Sequence, residues 1–475
     1  LGSINTNGGM LTIDNASSAG QAAGAVISGA GALTKQGAGI LTLSKANDYT
    51  GGTLVNAGTV IVTQSLGLGR SNGAVTVAGG ELLFDSAVSR SGDVTLTGGK
   101  LNINGKAVSL GTLSGTAGEV ALGAGTLTVA QGATGEFAGV ISGAGNLIKD
   151  GSGTLTLSGA NSYSGTTNIN AGTLTVSGSG TLGADAAAVA SGATLNLAGV
   201  TLASPSTLNL SGSGVGGIGA LTGTGTAGYN GAITLGGATT VGVGTLGDTL
   251  TLSGGIAGGA SAGLTKAGAG TLVLNGAGTY SGGTSIEAGA VSAGNDTALG
   301  SGATTVKAAA TLNILNGITL TSPATLSLEG SLIGVGSAAY NGAISIASST
   351  ASIGTGPASS DALTLNTPLT GLGLTKVGAG TLSLSGANAY TGSTTINAGT
   401  LALNAGATLP ASLPTTLAGG TRLRLNGTAQ QIGDLTGGAG AQLELGATLT
   451  VTENGATAFT GAISGPGNLI KDGSG

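Results

Sequence analysis

GNLIKDGSGTLTLSGANSYSGTTNINAGTLTV, residues 145–176, is the stretch whose reading decides the fold. In Thr154-Leu155-Thr156-Leu157 and Thr173-Leu174-Thr175-Val176, hydroxyl and aliphatic side chains alternate with a period of two, so one face of each run is apolar. That is the pattern of a half-buried strand. Gly151, the Ser152-Gly153 and Ser158-Gly159 pairs and Asn170-Ala171-Gly172 separate these runs every few residues, as tight corners require. No 3.6-residue apolar pattern with caps runs long enough for a helix.

The stretch is one of several copies. It recurs at residues 31–62, 263–293 and 373–403, and a shortened copy occupies residues 467–475. Lys35, Lys149, Lys266 and Lys376 are spaced by 114, 117 and 110 residues, and Tyr49, Tyr163, Tyr280 and Tyr390 repeat those intervals. A second landmark, aromatic-x-Gly-(Ala/Val)-Ile, recurs at Phe137, Tyr229, Tyr340 and Phe459. A long period of this kind reads as a repeat architecture, in which each unit contacts only its neighbours.

Composition narrows the architecture. Of 475 residues 99 are Gly; there is no His, Cys or Trp, and aromatic residues make up 2%. A β-sandwich array needs aromatic or Cys anchors in a core about 10 Å thick. A parallel β-helix stacks strands about 4.8 Å apart and asks for only one or two inward aliphatic side chains per strand. We therefore expect an all-β parallel β-helix, residues 1–475 forming one elongated rod of about twenty rungs. The uncharged stretch between Asp185 and Asp248 is interrupted too often by Gly, Ser, Thr and Pro for a membrane helix. Leu1 is not an initiator Met and the last residues stop inside a motif, so the sequence reads as a piece of a longer protein.

The block G-x-G-T-L-x-L-S-G-x-N-x-Y-[ST]-G-x-T-x-[IV]-N-x-G-T-L resembles the passenger-associated transport repeat of bacterial autotransporters, the type V secretion family. The likeness is carried by residues 153–176, then 380–403, 37–62 and 270–293. It implies a right-handed β-helical passenger, an extracellular, cell-surface location, and an outer-membrane barrel outside this stretch. In that family the repeat is associated with secretion and folding of the stalk. The third copy departs from the pattern, with Gly278 in place of Asn47, Asn161 and Asn388, and Glu287 in place of Asn.

Little in the sequence offers chemistry. A Ser nucleophile needs a base, and His is missing. Metal sites built on His or Cys are excluded for the same reason, and no cofactor is expected. The G-x-G-x-x-G matches at residues 223–228 and 242–247 open no helix and read as corners. A formal net charge of −5 argues against nucleic acid as a partner. The densest charged cluster holds Glu81, Asp85 and Asp93, flanked by Arg70, Arg90, Lys100 and Lys106. It reads as a solvated bulge, with a binding patch as the functional alternative. Arg422 and Arg424 flank Leu423 on a period-two strand, and read as surface charges or as an anion or glycan contact. The repeated Lys reads as a turn feature, and the motif Tyr as a cover for the open side of a rung.

These features point to a non-enzymatic surface stalk supporting adhesion or cell aggregation, with host-cell, glycan or self-association partners. The alternatives are a self-assembling extracellular fibre subunit and, below it, an ice-binding or polysaccharide-acting β-helix.

Overall fold

The computed structural model describes residues 3–20, 25–203, 205–321, 323 and 325–475. They form two compact units, Leu1–Thr234 and Leu235–Gly475. Both are parallel β-solenoids, with about 23 turns between them. The only helical segment among the described residues is a 3-10 turn at Val215–Gly217. No helix among them is long and apolar enough to cross a membrane.

The alternation read in the sequence becomes stacking. In the first unit, Leu41, Val60, Leu82, Leu101, Val120 and Ile141 are register partners on six successive strands. All six are fully buried. In the second unit Leu363, Leu382, Leu401, Leu423 and Leu443 form the same kind of column, again fully buried. Each inward side chain thus packs between its equivalents one rung before and one rung after. A narrow aliphatic core is closed in this way without large aromatic residues.

The outward positions form hydroxyl columns. Thr265, Ser285, Thr305, Ser327, Ser345 and Thr370 follow one another in register along one face of the second unit. Paired outward Thr-x-Thr is shorter-lived. Thr154/Thr156 stack on Thr173/Thr175, and the next rung brings a buried Thr194 and an Asn196.

Corners explain the glycines that matter most. Gly58, Gly172, Gly289 and Gly399, the last residues of the (Asn/Glu)-Ala-Gly corner, have φ of 65°, 63°, 68° and 66°. A Cβ on Gly172 would lie 2.4 Å from the Gly153 carbonyl oxygen of the rung before. Both the left-handed backbone and the close rung contact therefore demand glycine.

Candidate functional site: buried staples and charged ladders

The Lys of each repeat block points inward. In Leu147-Ile148-Lys149 the strand puts Leu147 and Lys149 in the core and Ile148 outside. Lys35, Lys149, Lys266 and Lys376 are all fully buried. The Lys149 ammonium donates to the carbonyls of Asp150 (3.0 Å), Gly151 (2.8 Å) and, one rung on, Ala171 (2.9 Å). Lys266 donates to Ala267, Gly268 and Ala288 at 3.1, 2.7 and 3.1 Å. Lys376 reaches Val377, Gly378 and Ala398 at 2.9, 2.7 and 2.9 Å. Lys35 repeats the pattern with Gln36, Gly37 (2.6 Å) and Ala57 (3.4 Å). Three carbonyls meet the three N–H donors of an ammonium, and the bonds are charge-assisted. The side chain therefore staples its own Gly corner to the corner of the next rung.

Asn makes a second staple. Oδ1 of Asn161 accepts from the Ile141 amide of the preceding rung (2.9 Å), and Nδ2 donates to Thr181 of the following rung (2.9 Å). Asn47 joins Ile27 and Gly67 at 2.9 and 2.6 Å, and Asn388 joins Leu369 and Thr408 at 2.9 and 2.8 Å. The departure at Gly278 has a physical reason. A Cβ there would lie 2.7 Å from the Gly300 nitrogen, so no side chain fits. The backbone supplies both bonds instead: Ile256 N–H donates to the Ala277 carbonyl (2.9 Å) and Gly278 N–H to Thr297 (3.1 Å).

The motif Tyr is a core residue, at most 1% exposed, and does not cover an open side as expected. Its hydroxyl pairs with the Thr four residues on, in Tyr49–Thr53 (2.6 Å), Tyr163–Thr167 (2.7 Å), Tyr280–Thr284 (2.7 Å) and Tyr390–Thr394 (2.5 Å). The ring lies over a glycine of the next rung: Cβ atoms on Gly183 and Gly300 would come within 2.5 and 2.8 Å of the Tyr163 and Tyr280 rings. Three of the second landmark's aromatics, Phe137, Tyr229 and Tyr340, are also internal. The hydroxyls of Tyr229 and Tyr340 donate to the carbonyls of Pro205 (2.8 Å) and Pro323 (2.9 Å).

Burial sets the titration of these groups. It pulls Lys149, Lys266 and Lys376 down to about 8, and lowers Lys35. It pushes Tyr49, Tyr163 and Tyr229 up to about 12 and raises the other three Tyr. Between pH 8 and 10.5 the unfolded chain holds Lys protons that the fold has released, so stability rises with pH. Above pH 10 the fold keeps Tyr protons that the unfolded chain has lost, so stability falls. The urea midpoint is expected to climb from pH 8, peak near pH 10 and decline toward pH 12. A midpoint that falls steadily from pH 7 would contradict these linkages.

The charged residues of the cluster take different partners on neighbouring rungs. Arg70 is exposed. Glu81 accepts from Asn102 Nδ2 (2.9 Å) and is the register partner of Lys100, which pairs with Glu119 at 3.2 Å. Asp85 accepts from Asn104 (3.2 Å), and Asp93 accepts from the Thr112 hydroxyl. Arg90 is 3% exposed and donates to the Gly73 carbonyl (2.6 Å), with burial lowering its pKa. It is an internal cation rather than a surface contact. Arg422 donates from Nε to Gln442 (2.9 Å), and Arg424 donates to Glu444 (2.9 Å), each its register partner on the next rung. Both guanidinium groups are thus engaged within the solenoid wall. Half-exposed pairs of this kind contribute about 0–1 kcal/mol. Arg424→Ala is therefore expected to lower the stability by less than about 1 kcal/mol, an effect that shrinks further in salt; a larger loss in urea melts would show otherwise.

Two buried amides carried no sequence signal. Gln131 accepts from Leu113 N–H (3.1 Å), and Gln430 accepts from Leu409 N–H (2.9 Å) while donating to Ala407 (2.8 Å). They do the work of the motif Asn outside any motif. Among the described residues no group of three or more His, Cys, Asp or Glu is placed to hold a metal ion.

Residues 33–62, 147–176, 264–293 and 374–403 each match the passenger-associated-transport-repeat family. These are the four stapled blocks. Over 172 residues, 35% of this chain, the sequence is 36% identical to the adhesin BmaC autotransporter of Brucella suis biovar 1 (strain 1330). The match covers 4% of that relative's length. No solved structure matches the chain.

Proposed function

We propose that this chain, a cell-surface passenger region of autotransporter type built on passenger-associated transport repeats, is the mechanical stalk of an adhesin-like protein. The observation that carries this reading is the set of staples. In the blocks at Lys35, Lys149 and Lys376 a buried Lys and a buried Asn tie successive rungs together, beside a buried Tyr–Thr pair within the rung; the Lys266 block keeps the Lys and the Tyr–Thr pair. Such ties resist rung separation and leave few accessible sites for proteases. The stalk holds more distal segments away from the cell and has no catalytic task. The relative's name as an adhesin supports adhesion as the purpose, and an outer-membrane barrel elsewhere in the protein would supply the anchor. Arg70, Asp85 and Asp93 are the exposed charges we assign to partner contact.

The test uses a passenger–barrel fusion displayed on a Gram-negative host. Permuting the residues inside all four blocks while keeping their composition should reduce surface display and leave what remains protease-sensitive. Normal display of a protease-resistant product would overturn the role given to the blocks.

A further inference from the structure

Five cations are buried among the described residues: Lys35, Lys149, Lys266, Lys376 and Arg90. Each Lys meets three carbonyls with its three N–H donors. Arg90 has five donors and meets two carbonyls, both through Nη2: Gly73 at 2.6 Å and Arg70 at 3.4 Å. Its Nε and Nη1 are buried and have no acceptor. Arg90 is 3% exposed, so water outside the wall does not reach them.

The acceptor this group calls for is an anion. A guanidinium does not shed its proton as a buried ammonium can, and an unpaired charge is costly to bury. No carboxylate of the described residues forms an ion pair with Arg90. Asp93, the acid nearest in sequence, is turned to the Thr112 hydroxyl. The ionisable group that bears on Arg90 is Tyr49, whose phenol burial pushes up to about 12 and so keeps neutral.

The corner beside the guanidinium has room for one small ion. A Cβ on Gly73 would stand 3.7 Å from Arg90 Nη2 and 3.3 Å from the Arg70 carbonyl oxygen, with nothing nearer beyond its chain neighbours. On the next two rungs, Gly92 and Gly111 would meet a carbonyl oxygen of the preceding rung at 2.3 and 2.2 Å. Gly73 is itself buried, so the gap is internal. Both forks of a guanidinium include Nη2, and an ion beside that atom also reaches Nε or Nη1.

We propose that Arg90 and the Arg70–Gly73 corner bind a small inorganic anion, chloride in an extracellular medium. The enclosure excludes a carboxylate carried on another chain, and a monoatomic ion fits. The bound ion completes the staple that fixes the rung of Arg90 to the corner before it, as the Ala171 carbonyl completes that of Lys149. Chloride therefore tightens these rungs, whereas salt weakens a surface pair such as Arg424–Glu444.

The test is native-state hydrogen exchange of the 475-residue chain in sodium chloride and in sodium gluconate at equal ionic strength. Opening of peptides across residues 66–93 should be about tenfold rarer in chloride at ten times its dissociation constant. The effect should saturate with chloride, and residues 360–400 should not respond. Arg90→Met, which keeps the apolar stem, should abolish the response and the broadening of the chloride NMR line. Gly73→Ala keeps the guanidinium and fills the gap; Gly73 lies outside the left-handed region, so alanine takes its backbone. It should remove the response as well, and it carries the test if Arg90→Met does not fold. Equal exchange in the two salts, as water in place of the ion would give, overturns the proposal. So does a chloride effect that never saturates, or one that survives in the variants.

Discussion

Tyr163→Ala is expected to cost about 3–5 kcal/mol, the range for removing a buried aromatic ring. The residue is 1% exposed, its ring presses on Gly183 of the next rung, and its hydroxyl is paired with Thr167 at 2.7 Å. The neighbouring inward side chains are held in register by the rungs above and below, so the gap is filled only in part and a cavity term adds to the lost burial. Thr167 is left with a buried hydroxyl and no partner, a further penalty included in that range. The loss should also be local. In a solenoid each rung feels only its neighbours, and stability is a sum over rungs and their interfaces. Native-state hydrogen exchange should show faster opening of peptides across residues 137–190, with protection around residues 40–60 unchanged. Uniform loss along the chain, or a cost below about 1 kcal/mol, would contradict a locally stapled core.

Much of this fold is legible because its two periods are simple. Leu155 and Leu157 point inward because they alternate with Thr, and Gly172 sits at a corner because Asn-Ala-Gly precedes a new alternating run. Arg422 and Arg424 project together because Leu423 between them is inward. The staples were also present in the alternation, but residue type hides them. In Leu264-Thr265-Lys266 the Lys occupies the phase of the core, and the same is true of Arg90 after Val88. Lys is so rarely buried that its chemistry argues against its own register. What the sequence lacks is the partner: of the three backbone carbonyls that make a buried ammonium tolerable, two belong to its own corner and the third to a corner 22 residues away. Side-chain identity carries no trace of them. The charged residues between 70 and 106 are close in sequence, and stacking joins Glu81 to Asn102, Asp85 to Asn104 and Asp93 to Thr112, each one rung away.

The second large effect expected is that of Lys149→Met. Met keeps the length and apolar stem of Lys but removes three donors, so the carbonyls of Asp150, Gly151 and Ala171 lose a charge-assisted bond each. An unmet buried polar group costs about 1–3 kcal/mol. Against this, the mutation relieves the desolvation that pulls the ammonium down to about 8. Replacing a buried charge by an apolar isostere can be neutral when its partners go too, but here the carbonyls remain. The net cost is therefore set at about 2–4 kcal/mol, confined to the rungs on either side of residue 149. A pH series separates the staple from simple packing. The rise in stability between pH 8 and 10.5 should shrink in Lys149→Met, because one of the depressed Lys groups has gone. Ala171→Gly, which keeps the corner carbonyl, should leave that rise intact. If Lys149→Met melts like the parent and keeps the same pH profile, the ammonium is not what holds these rungs together.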